Sequence, residues 1–503
     1  MSIQFLKFIN VSFAYESSAN NILSNVSFHL TNGWTGIVGA NGSGKSTLLK
    51  LATGDLSATS GTILLPELSE YCEQRTDFAP GHFSNFLTDY SKDSFRLIDM
   101  LNIKEEWLSR WNTLSFGERK RVQIASSLWT KPELLAIDEP TNHLDSSARE
   151  LIITTLKSYK GVGLLVSHDR QLLDELCTQI IFVEDSQIFL RTGGITDATE
   201  QHLSEKQSFR DEYNKQKEEV KKLKKEINRR LQLAEKSKSQ SSKKNIGRKD
   251  HDAKAKIDIG RVTGKDAVGG KLKSQLEGRL SQAVSAFENK SIAKEVKLGI
   301  SVSYEQSRRN YFLKHEERKL QLGVSKELFL PELIITPKNR IALTGINGCG
   351  KSTLVKSLIK NLDPAQKNIL YIAQEISEEE SSRVIKEIKS LSNEKLGKLL
   401  IIVSRLGSDA KRILETELPS PGEVRKLLLA LGMLKEPELI IMDEPTNHLD
   451  LPSIKCLEVA LKEVECALLL VSHDNYFLEK LCNINWKISN KSLDQFVLKI
   501  NYD

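Results

Sequence analysis

Two glycine-rich segments carry the residues best suited to phosphate chemistry. They read "GANGSGKST" at 39–47 and "GINGCGKST" at 345–353, and both fit the pattern G-x-x-x-x-G-K-[ST]. Glycines allow backbone amides to close around phosphate oxygens, and a following helix adds partial positive charge at its N-terminus. The predicted nucleotide-binding residues are Gly39, Asn41, Gly42, Gly44, Lys45, Ser46 and Thr47, then Gly345, Asn347, Gly348, Gly350, Lys351, Ser352 and Thr353.

Adjacent carboxylates follow each of two short apolar runs, "LLAID" and "LIIMD". Asp138 and Asp443 end these runs, 92 and 91 residues after the serines of the two phosphate loops. Glu139 and Glu444 come next and are predicted to polarise an attacking water. A capped turn after a buried strand would need only one acidic residue, so the pairs favour catalysis. The predicted Mg²⁺ ligands are Ser46, Asp138, Ser352 and Asp443.

A histidine and a glutamine also recur in each half of the chain. His168 and His473 end the runs "LLVSH", each 30 residues after the aspartate of its half. A lone histidine at a strand end is usually structural, but this equal spacing predicts a contact with the γ-phosphate. Gln74 and Gln374, in "YCEQ" and "YIAQ", are predicted to lie near the metal and the water.

An aromatic residue upstream of the first phosphate loop is a candidate for the nucleobase. Tyr15 lies 24 residues before Gly39 and is predicted to stack on adenine, the alternative being a strand aromatic in the core. In the second half no aromatic has the matching spacing. Tyr304, Tyr311 and Phe312 are the nearest upstream candidates, and they are too far away to align.

These motifs belong to a repeat that covers most of the chain. The octapeptide "DEPTNHLD" occurs at 138–145 and again at 443–450, and "LSFGE" returns as "PSPGE" with the same offset of 305 residues. Repetition on this scale predicts two copies of one domain. The copies are predicted to cover 1–195 and 297–503.

Composition excludes several classes of protein. Of 503 residues, 39% are hydrophobic and 27% are charged, as in ordinary globular domains. The six cysteines are scattered without a C-x-x-C pair, which predicts reduced thiols in a cytosolic protein rather than disulfides or metal ligands. The N-terminus lacks the layout of a signal peptide, and no apolar run approaches the ~18–20 residues that a membrane-spanning helix needs.

The segment between the two copies carries the excess positive charge. Residues 206–290 contain 24 Lys+Arg and 12 Asp+Glu, a net charge of +12, which leaves −6 for the rest of a chain whose total is +6. Helix-forming residues with a thin apolar stripe predict a helix, "KLKSQLEGRLSQAVSAF" predicts a return helix, and a Ser/Lys-rich turn joins them. The alternative is a solvated, partly disordered linker. The apolar stripe consists of Tyr213, Val220, Leu223, Ile227 and Leu231.

The order of these motifs resembles that of an ATP-binding cassette domain, found twice. The resemblance implies ATP and Mg²⁺ as cofactors, ATP hydrolysis, and two cassettes packed head to tail as an intramolecular dimer in a monomeric chain. In that family the "LSxGE" signature of one cassette completes the nucleotide site of the other. Site one would join Lys45, Asp138 and Glu139 to Ser420 and Gly422, and site two would join Lys351, Asp443 and Glu444 to Ser115 and Gly117.

Tandem cassettes, the wording "EPTNHLD" and the basic linker resemble the ABC-F branch. That branch implies an α/β fold with two P-loop cassette domains joined by a long α-helical hairpin, here at 196–296 with its tip at about 238–254. It also implies a cytoplasmic ATPase that binds the ribosome, with rRNA and E-site tRNA as partners, and it includes both housekeeping factors and antibiotic-resistance proteins. The predicted ribosome contacts are Lys243, Lys244, Arg248 and Lys249.

Two other functions use the same motifs. An ATPase subunit of a drug exporter would need a separate membrane protein and would have no use for the basic linker. ATPases of DNA repair and chromosomes carry coiled coil inside one cassette, whereas here the helical segment lies between cassettes. The signatures also depart from the usual pattern, because Pro419 replaces leucine and Phe116 and Pro421 replace glycine.

Overall fold

This computed structural model describes residues 5–16, 20–142, 144–240, 275–281, 284, 309–323, 326–362, 368–408, 419–492 and 494–502. The chain divides into two compact units, one made of residues 1–198 and 296–503 and the other of residues 199–295. The first unit therefore contains both copies of the repeat.

The first copy alternates strands and helices. Its strands are β1 Leu6–Phe13, β2 Leu23–Leu30, β3 Gly33–Gly39, β4 Ser60–Leu64, β5 Ser69–Cys72, β6 Leu134–Asp138, β7 Val162–Val166, β8 Cys177–Glu184 and β9 Gln187–Thr192. Its helices are α1 Lys45–Thr53, α2 Phe83–Thr88, α3 Lys92–Met100, α4 Phe116–Trp129, α5 Ser146–Leu156 and α6 Arg170–Leu176, with 3-10 turns at Glu105–Trp107 and Trp111–Thr113.

A long helix, α7 Ile195–Gln240, leads out of the first copy. The strands of the second copy are β10 Leu313–His315, β11 Arg318–Leu322, β12 Lys326–Leu330, β13 Leu333–Ile335, β14 Arg340–Gly345, β15 Ile369–Ile372, β16 Leu439–Asp443, β17 Ala467–Val471, β18 Ile484–Ser492 and β19 Gln495–Tyr502. Its helices are α8 Lys351–Lys360, α9 Glu378–Lys389, α10 Asn393–Arg405, α11 Pro421–Met433, α12 Leu451–Glu463 and α13 Asn475–Leu481.

Each copy is built on a mostly parallel sheet with the same strand order. In the first copy the order is β5-β6-β7-β3-β8-β9, with β9 antiparallel to β8. In the second copy, β15-β16-β17-β14-β18-β19 repeats this order, and β12 and β11 extend the sheet beyond β19. The carboxyl ends of parallel strands meet at one edge of a sheet, so the loops after β3, β5, β6 and β7 converge there. The predicted α/β fold with two copies of one domain is confirmed.

The apolar strand sequences follow from burial on both faces of the sheets. In β6, Leu134 and Ala136 pack into one hydrophobic cluster, whereas Leu135 and Ile137 pack into another on the opposite face. All five residues of β6 are buried, which is why "LLAID" shows no polar alternation. The same holds for "LIIMD" in β16.

The second unit contains most of α7. Along this helix Val220, Leu223 and Ile227 are buried, Tyr213 is half-buried and Leu231 is exposed. The predicted return segment is helical at 275–281. Residues 241–254 of the predicted tip, with all four predicted ribosome contacts, lie outside the described residues. Across the described parts of the chain, the structure contains no helix with the length and apolar character needed to cross a membrane.

Candidate functional site

The first phosphate loop connects the end of β3 to the start of α1. Gly42 and Gly44 have φ values of 78° and 100°, in the left-handed region that favours glycine. A Cβ on Gly44 would lie 2.5 Å from the side chain of Ile22, whereas a Cβ on Gly42 would meet no described atom within 4 Å. Among the described residues no side chain caps the start of α1, so its first backbone amides are available to an anion.

The second phosphate loop repeats this geometry between β14 and α8. Gly348 and Gly350 have φ values of 76° and 97°, and a Cβ on Gly350 would lie 2.6 Å from the side chain of Leu322. The start of α8 likewise has no side-chain cap within the described part of the chain. Both loops therefore fit a phosphate group, because each has open space at its first glycine of positive φ and leads into a helix start that no described side chain caps.

The two loop lysines lie inside their own loops. Nζ of Lys45 donates to the carbonyls of Gly39 at 3.0 Å and Ala40 at 2.9 Å. Nζ of Lys351 donates to the carbonyl of Gly345 at 2.7 Å and lies 3.2 Å from Nε2 of His473. Burial lowers the pKa of Lys45, while the nearby carboxylate of Glu139 opposes that shift.

The acidic pair after β6 and the pair after β16 have an unusual backbone. Glu139 and Glu444 have φ values of 48° and 49°, which is rare for a residue with a side chain. Their amides remain in the sheet edge, donating to Val166 at 2.9 Å and to Val471 at 2.8 Å. This conformation turns each glutamate side chain away from the course of its strand. The preceding Asp138 accepts a hydrogen bond of 3.2 Å from the hydroxyl of Tyr71.

Both glutamates titrate near neutral pH. Burial raises the pKa of Glu139 to about 8, with a further contribution from the charge of Asp138. Burial raises the pKa of Glu444 to about 7, although the charge of Lys351 opposes the rise. In both residues Oε1 is buried and accepts no hydrogen bond from the described residues. When deprotonated, each glutamate therefore presents a buried oxygen that could accept a proton from water.

The histidines lie beside the glutamates and are neutral. Nε2 of His168 is 3.2 Å from Oε1 of Glu139, and Nε2 of His473 is 3.4 Å from Oε1 of Glu444. Burial lowers the pKa of His168 to about 3 and that of His473 to about 4, with the nearby loop lysine adding to each shift. A neutral imidazole can donate one hydrogen bond without adding charge.

One cavity of about 1080 Å³ is lined by phosphate loops from both copies of the repeat. Ser115 and Gly117, the predicted contacts from the first signature, do not line this cavity. Gly39 and Gly345 do not line it either, and they are the last residues of β3 and β14. The predicted residues that line the cavity are Tyr15, Asn41, Gly42, Gly44, Lys45, Ser46, Thr47, Gln74, Asp138, Glu139, His168, Asn347, Gly348, Gly350, Lys351, Ser352, Thr353, Gln374, Ser420, Gly422, Asp443, Glu444 and His473.

Contacts between the two copies use two aspartates that motif spacing did not single out, Asp145 and Asp450. The amide of Asn41 donates to Oδ2 of Asp450 at 2.7 Å, and the amide of Asn347 donates to Oδ2 of Asp145 at 3.4 Å. Each aspartate ends a "DEPTNHLD" octapeptide and also caps the helix that follows it. The exact repetition of all eight residues of "DEPTNHLD" could have indicated a role for the final aspartate, because catalysis by the first two acidic residues does not explain why the last one recurs.

The signature segments are helix starts as well as predicted nucleotide contacts. Ser115 and Ser420 each form a capping box with the glutamate three residues later, Glu118 or Glu423. In both boxes the serine hydroxyl donates to the glutamate at 2.8 Å. The S-x-x-E spacing in "LSFGE" and "PSPGE" could have predicted both caps.

Comparisons with known proteins agree with this geometry. The ABC transporter family pattern matches residues 23–142 and 331–447. The chain is 30% identical over 505 residues to the ribosome protection protein VmlR of Bacillus subtilis, covering 97% of this chain and 87% of VmlR. It is 29% identical over 517 residues to the probable ATP-binding protein YheS of Escherichia coli K12, covering 92% of this chain and 75% of YheS.

Solved structures share the fold at low sequence identity. A structure described as the complex of archaeal ribosomal stalk protein aP1 and archaeal ribosome recycling factor aABCE1 matches with a TM-score of 0.62 at 18% identity, covering 97% of this chain and 89% of that one. A structure described as RNase-L Inhibitor matches with a TM-score of 0.60, also at 18% identity and with the same coverage. At this identity the likeness concerns the fold alone.

Proposed function

The chain belongs to the ABC-F family of tandem ATP-binding cassette proteins and hydrolyses ATP, and from that premise we propose that it acts on the ribosome. Its ATP-bound, closed form binds the ribosome and modulates or rescues translation, and hydrolysis releases it. Protection of the ribosome from an antibiotic is one form of this action, because the relative VmlR is named for ribosome protection. The proposed contacts are rRNA and E-site tRNA, and the proposed compartment is the cytoplasm.

The cavity shared by the two cassettes is the observation that carries this proposal. Phosphate loops of both cassettes line it, together with Ser420 and Gly422 of the second signature. ATP bound there would contact both cassettes and favour the closed arrangement, because a ligand stabilises the state to which it binds more tightly. The basic segment at 206–290 connects these two cassettes, so closure would act on both of its ends.

At site one, the residues of the first cassette hold the phosphates from one side. The amides at the start of α1 and Nζ of Lys45 face the β- and γ-phosphates, and Ser420 and Gly422 approach the γ-phosphate from the second cassette. Site two repeats the arrangement around Lys351, with Ser115 and Gly117 as its proposed partners. Tyr15 supplies an aromatic ring for adenine at site one.

The residues at both sites also fit Mg²⁺. Each site offers one serine hydroxyl and one aspartate carboxylate, oxygen ligands of the kind that would hold Mg²⁺ together with the phosphates of ATP. At site two the hydroxyl of Ser352 already bonds the carboxylate of Asp443. Bound Mg²⁺ would neutralise negative charge on the phosphates. Ser46 and Asp138 are the corresponding pair at site one.

Water activation is assigned to the glutamates. Glu139 and Glu444 are the proposed general bases, because a carboxyl group whose pKa lies near neutral takes up a proton readily once it is deprotonated, and their Oε1 atoms are the proposed contact with water. The neutral His168 and His473 are proposed to donate to the γ-phosphate. Gln74 and Gln374 follow β5 and β15 and are proposed to orient the water and the metal.

Phosphate backbone is the proposed target of the basic linker. Exposed lysines follow one another along the described part of α7, at positions 221, 222, 224 and 225. The predicted contacts Lys243, Lys244, Arg248 and Lys249 would extend this charge to the tip. Such contacts bind RNA without reading its sequence and weaken steeply as salt concentration rises.

Sedimentation with ribosomes tests the proposal. The double variant Glu139→Gln, Glu444→Gln, which is expected to bind ATP without hydrolysing it, should pellet with ribosomes in ATP and stay in the supernatant in ADP. Replacing 238–254 with a Gly/Ser loop should weaken binding and flatten its salt dependence, by a slope of about 0.7 to 0.9 per lost phosphate contact. ATPase activity should persist, because each cassette has its own core.

A charge-matched control separates the linker from general electrostatics. The loop replacement removes a net charge of +4, so the control neutralises four exposed cassette lysines, Lys386, Lys389, Lys395 and Lys398, to glutamine. The control should bind ribosomes like wild type. If the loop-replaced protein also binds ribosomes and alters in vitro translation like wild type, the linker is only a tether and the proposal fails.

A further inference from the structure

A buried cation lies behind the catalytic residues of the first cassette. Lys120, in α4, has a relative exposure of 0%. Its Nζ donates to the carbonyl of Glu73, to Oε1 of Gln123 at 3.0 Å and to the carbonyl of Asp138 at 3.2 Å. Glu73 directly precedes Gln74, and Asp138 directly precedes Glu139. One ammonium group therefore holds the backbone beside two proposed catalytic side chains.

The second cassette places a different cation at the same position. Arg425 lies five residues after Ser420, as Lys120 lies five residues after Ser115. It is 4% exposed, and its guanidinium donates to the carbonyls of Glu444 at 2.9 Å, Asn447 at 2.7 Å and Gln374. Burial lowers the pKa of Arg425, and the charges of Glu444 and Asp443 oppose that shift.

Moving a cation from water into a protein interior is unfavourable unless the cation has partners there. Carbonyl dipoles offset part of this desolvation free energy. An apolar residue of similar length would avoid the cost but would leave several backbone carbonyls unpaired. The preceding position differs between the cassettes, since Val424 occupies in the second the place that Arg119 occupies in the first. A cation nevertheless follows it in both.

The bonds connect three separate segments of each cassette. They join the signature helix, α4 or α11, to the glutamine segment and to the carboxylate segment. Glu139 and Glu444 have a left-handed backbone, so the direction of each side chain depends on how the adjoining peptide is held. A cation bonded to that peptide fixes the glutamate relative to the glutamine.

We infer that Lys120 and Arg425 are positioning residues for ATP hydrolysis, each holding the glutamine, the catalytic glutamate and the signature helix in one arrangement. They act through backbone carbonyls and touch no reacting atom. The inference rests on ATP hydrolysis and not on ribosome binding, so it can fail or hold independently of the proposed partner.

Steady-state ATPase kinetics test the inference one site at a time, with Lys120→Met made in a Glu444→Gln background and Arg425→Met in a Glu139→Gln background, and each loss taken relative to its background. Each variant should lose about 10- to 100-fold in kcat, the usual range for residues that orient catalytic groups, while KM for ATP changes by less than about twofold. The exchange variants Lys120→Arg and Arg425→Lys should keep kcat within about threefold, since the chain itself has lysine at this position in one cassette and arginine in the other.

Arg119→Met is the matched control on the same helix. Arg119 also donates to carbonyls, but to those of Trp111 and Asn112, away from the catalytic segments. Its loss should leave kcat near the wild-type value even if thermal stability falls. The inference is overturned if the methionine variants keep wild-type kcat, if Arg119→Met loses as much kcat as they do, or if the exchange variants lose as much.

Glutamine variants cover the case in which the methionine variants do not fold. Lys120→Gln and Arg425→Gln keep one side-chain amide group that can donate to a carbonyl, and they should show kcat values below those of the exchange variants. Circular dichroism melting establishes which variants are folded. Equal kcat for wild type, exchange variants and glutamine variants would exclude a positioning role for the cation.

Discussion

The two nucleotide sites of this chain share their motifs but not their surroundings. At site one, Asp450 of the opposite cassette bonds the loop amide of Asn41 at 2.7 Å, whereas at site two the equivalent bond from Asn347 to Asp145 is 3.4 Å long. Ser420 lines the cavity beside site one, but Ser115 does not line it beside site two. The opposite cassette therefore encloses site one more fully than site two.

The nucleobase side differs as well. At site one Tyr15 lines the cavity, and its hydroxyl lies 3.2 Å from Oγ1 of Thr47. At site two the cavity is lined instead by Leu322, Gly323 and Lys326, at the turn between β11 and β12. An aromatic ring can stack on a base, whereas a leucine offers only apolar contact.

His473, the histidine of site two, has a contact with the opposite cassette that His168 of site one cannot have. Nη1 of Arg149, in α5 of the first cassette, donates to the carbonyl oxygen of His473 at 3.5 Å. The residue 305 positions later, which would face His168, is Ile454. The two sites have identical motifs but are unequal, because each is completed by residues of the opposite cassette, and those residues differ between the two cassettes.

Loss of the catalytic carboxylates should have the largest effect. The double variant Glu139→Gln, Glu444→Gln should lose about 10²- to 10⁴-fold in ATP turnover, as expected when a general base is removed, while still binding ATP. The single variants show how much each site contributes to wild-type ATP turnover. Glu139→Gln should lower turnover more than Glu444→Gln, because site one is better enclosed. Near-wild-type turnover in the double variant would remove both residues from catalysis.

Arginine in place of each signature serine tests the head-to-tail arrangement. Ser420→Arg should weaken ATP binding at site one by about tenfold, since it places a bulky cation in the cavity wall at a cost of order 1.4 kcal/mol. Ser115→Arg should weaken site two, and by less. Single-site binding is measured in Lys351→Ala and Lys45→Ala backgrounds.

Both serines form the same capping box, so loss of the cap is matched between these variants. The difference between them therefore reports the cavity alone. An effect of Ser420→Arg confined to site two, or of Ser115→Arg confined to site one, would contradict the head-to-tail arrangement.

The pH dependence of stability should separate the two glutamates in the nucleotide-free protein. The folded pKa of Glu139 is about 8 and that of Glu444 about 7, both above the ordinary value of 4.5, so the folded state binds more protons than the unfolded state between these limits. The lowered pKa values of His168 and His473 act in the opposite sense up to about pH 6.5, so wild type should lose stability as pH rises from about 6.5 to 8. Denaturant unfolding at several pH values should show that Glu139→Gln removes more of this loss than Glu444→Gln. Equal pH profiles for wild type and both variants would show that neither carboxyl is perturbed.

Exchange of the nucleobase contacts should have the smallest effect. Tyr15→Leu should weaken ATP binding at site one by about threefold, in line with a stacking contribution of about 0.5 to 1.5 kcal/mol. Leu322→Tyr should strengthen binding at site two, where the turn brings this position to the cavity. Titration of a fluorescent ATP analogue into single-site backgrounds measures both. The alternative of a core aromatic does not hold, because Tyr15 is exposed, so unchanged affinity in Tyr15→Leu would show that the tyrosine does not contribute to nucleobase binding.

The local elements of the sites could be predicted from the sequence because their causes are local. Gly42 and Gly44 are needed wherever the backbone takes positive φ, and strands such as "LLAID" are apolar throughout because both of their faces are buried. The repeat at a fixed offset then placed every motif at the same edge of two equivalent sheets. The α/β fold, the tandem cassettes and most of the motif residues that line the cavity follow from these features, whereas Leu322 and Lys326 line it without any motif.

The tertiary structure alone decided which residues of one half reach the other and which cation is buried. Asn41 and Asp450 are 409 residues apart, and no spacing rule connects them. In "GERKRVQ" three cations stand side by side, and only the packing of α4 against the sheet leaves Lys120 fully buried between carbonyl groups while Arg119 is half-exposed. Contacts of this kind depend on where whole elements pack, because burial and partner distance are properties of the folded chain and not of any segment within it.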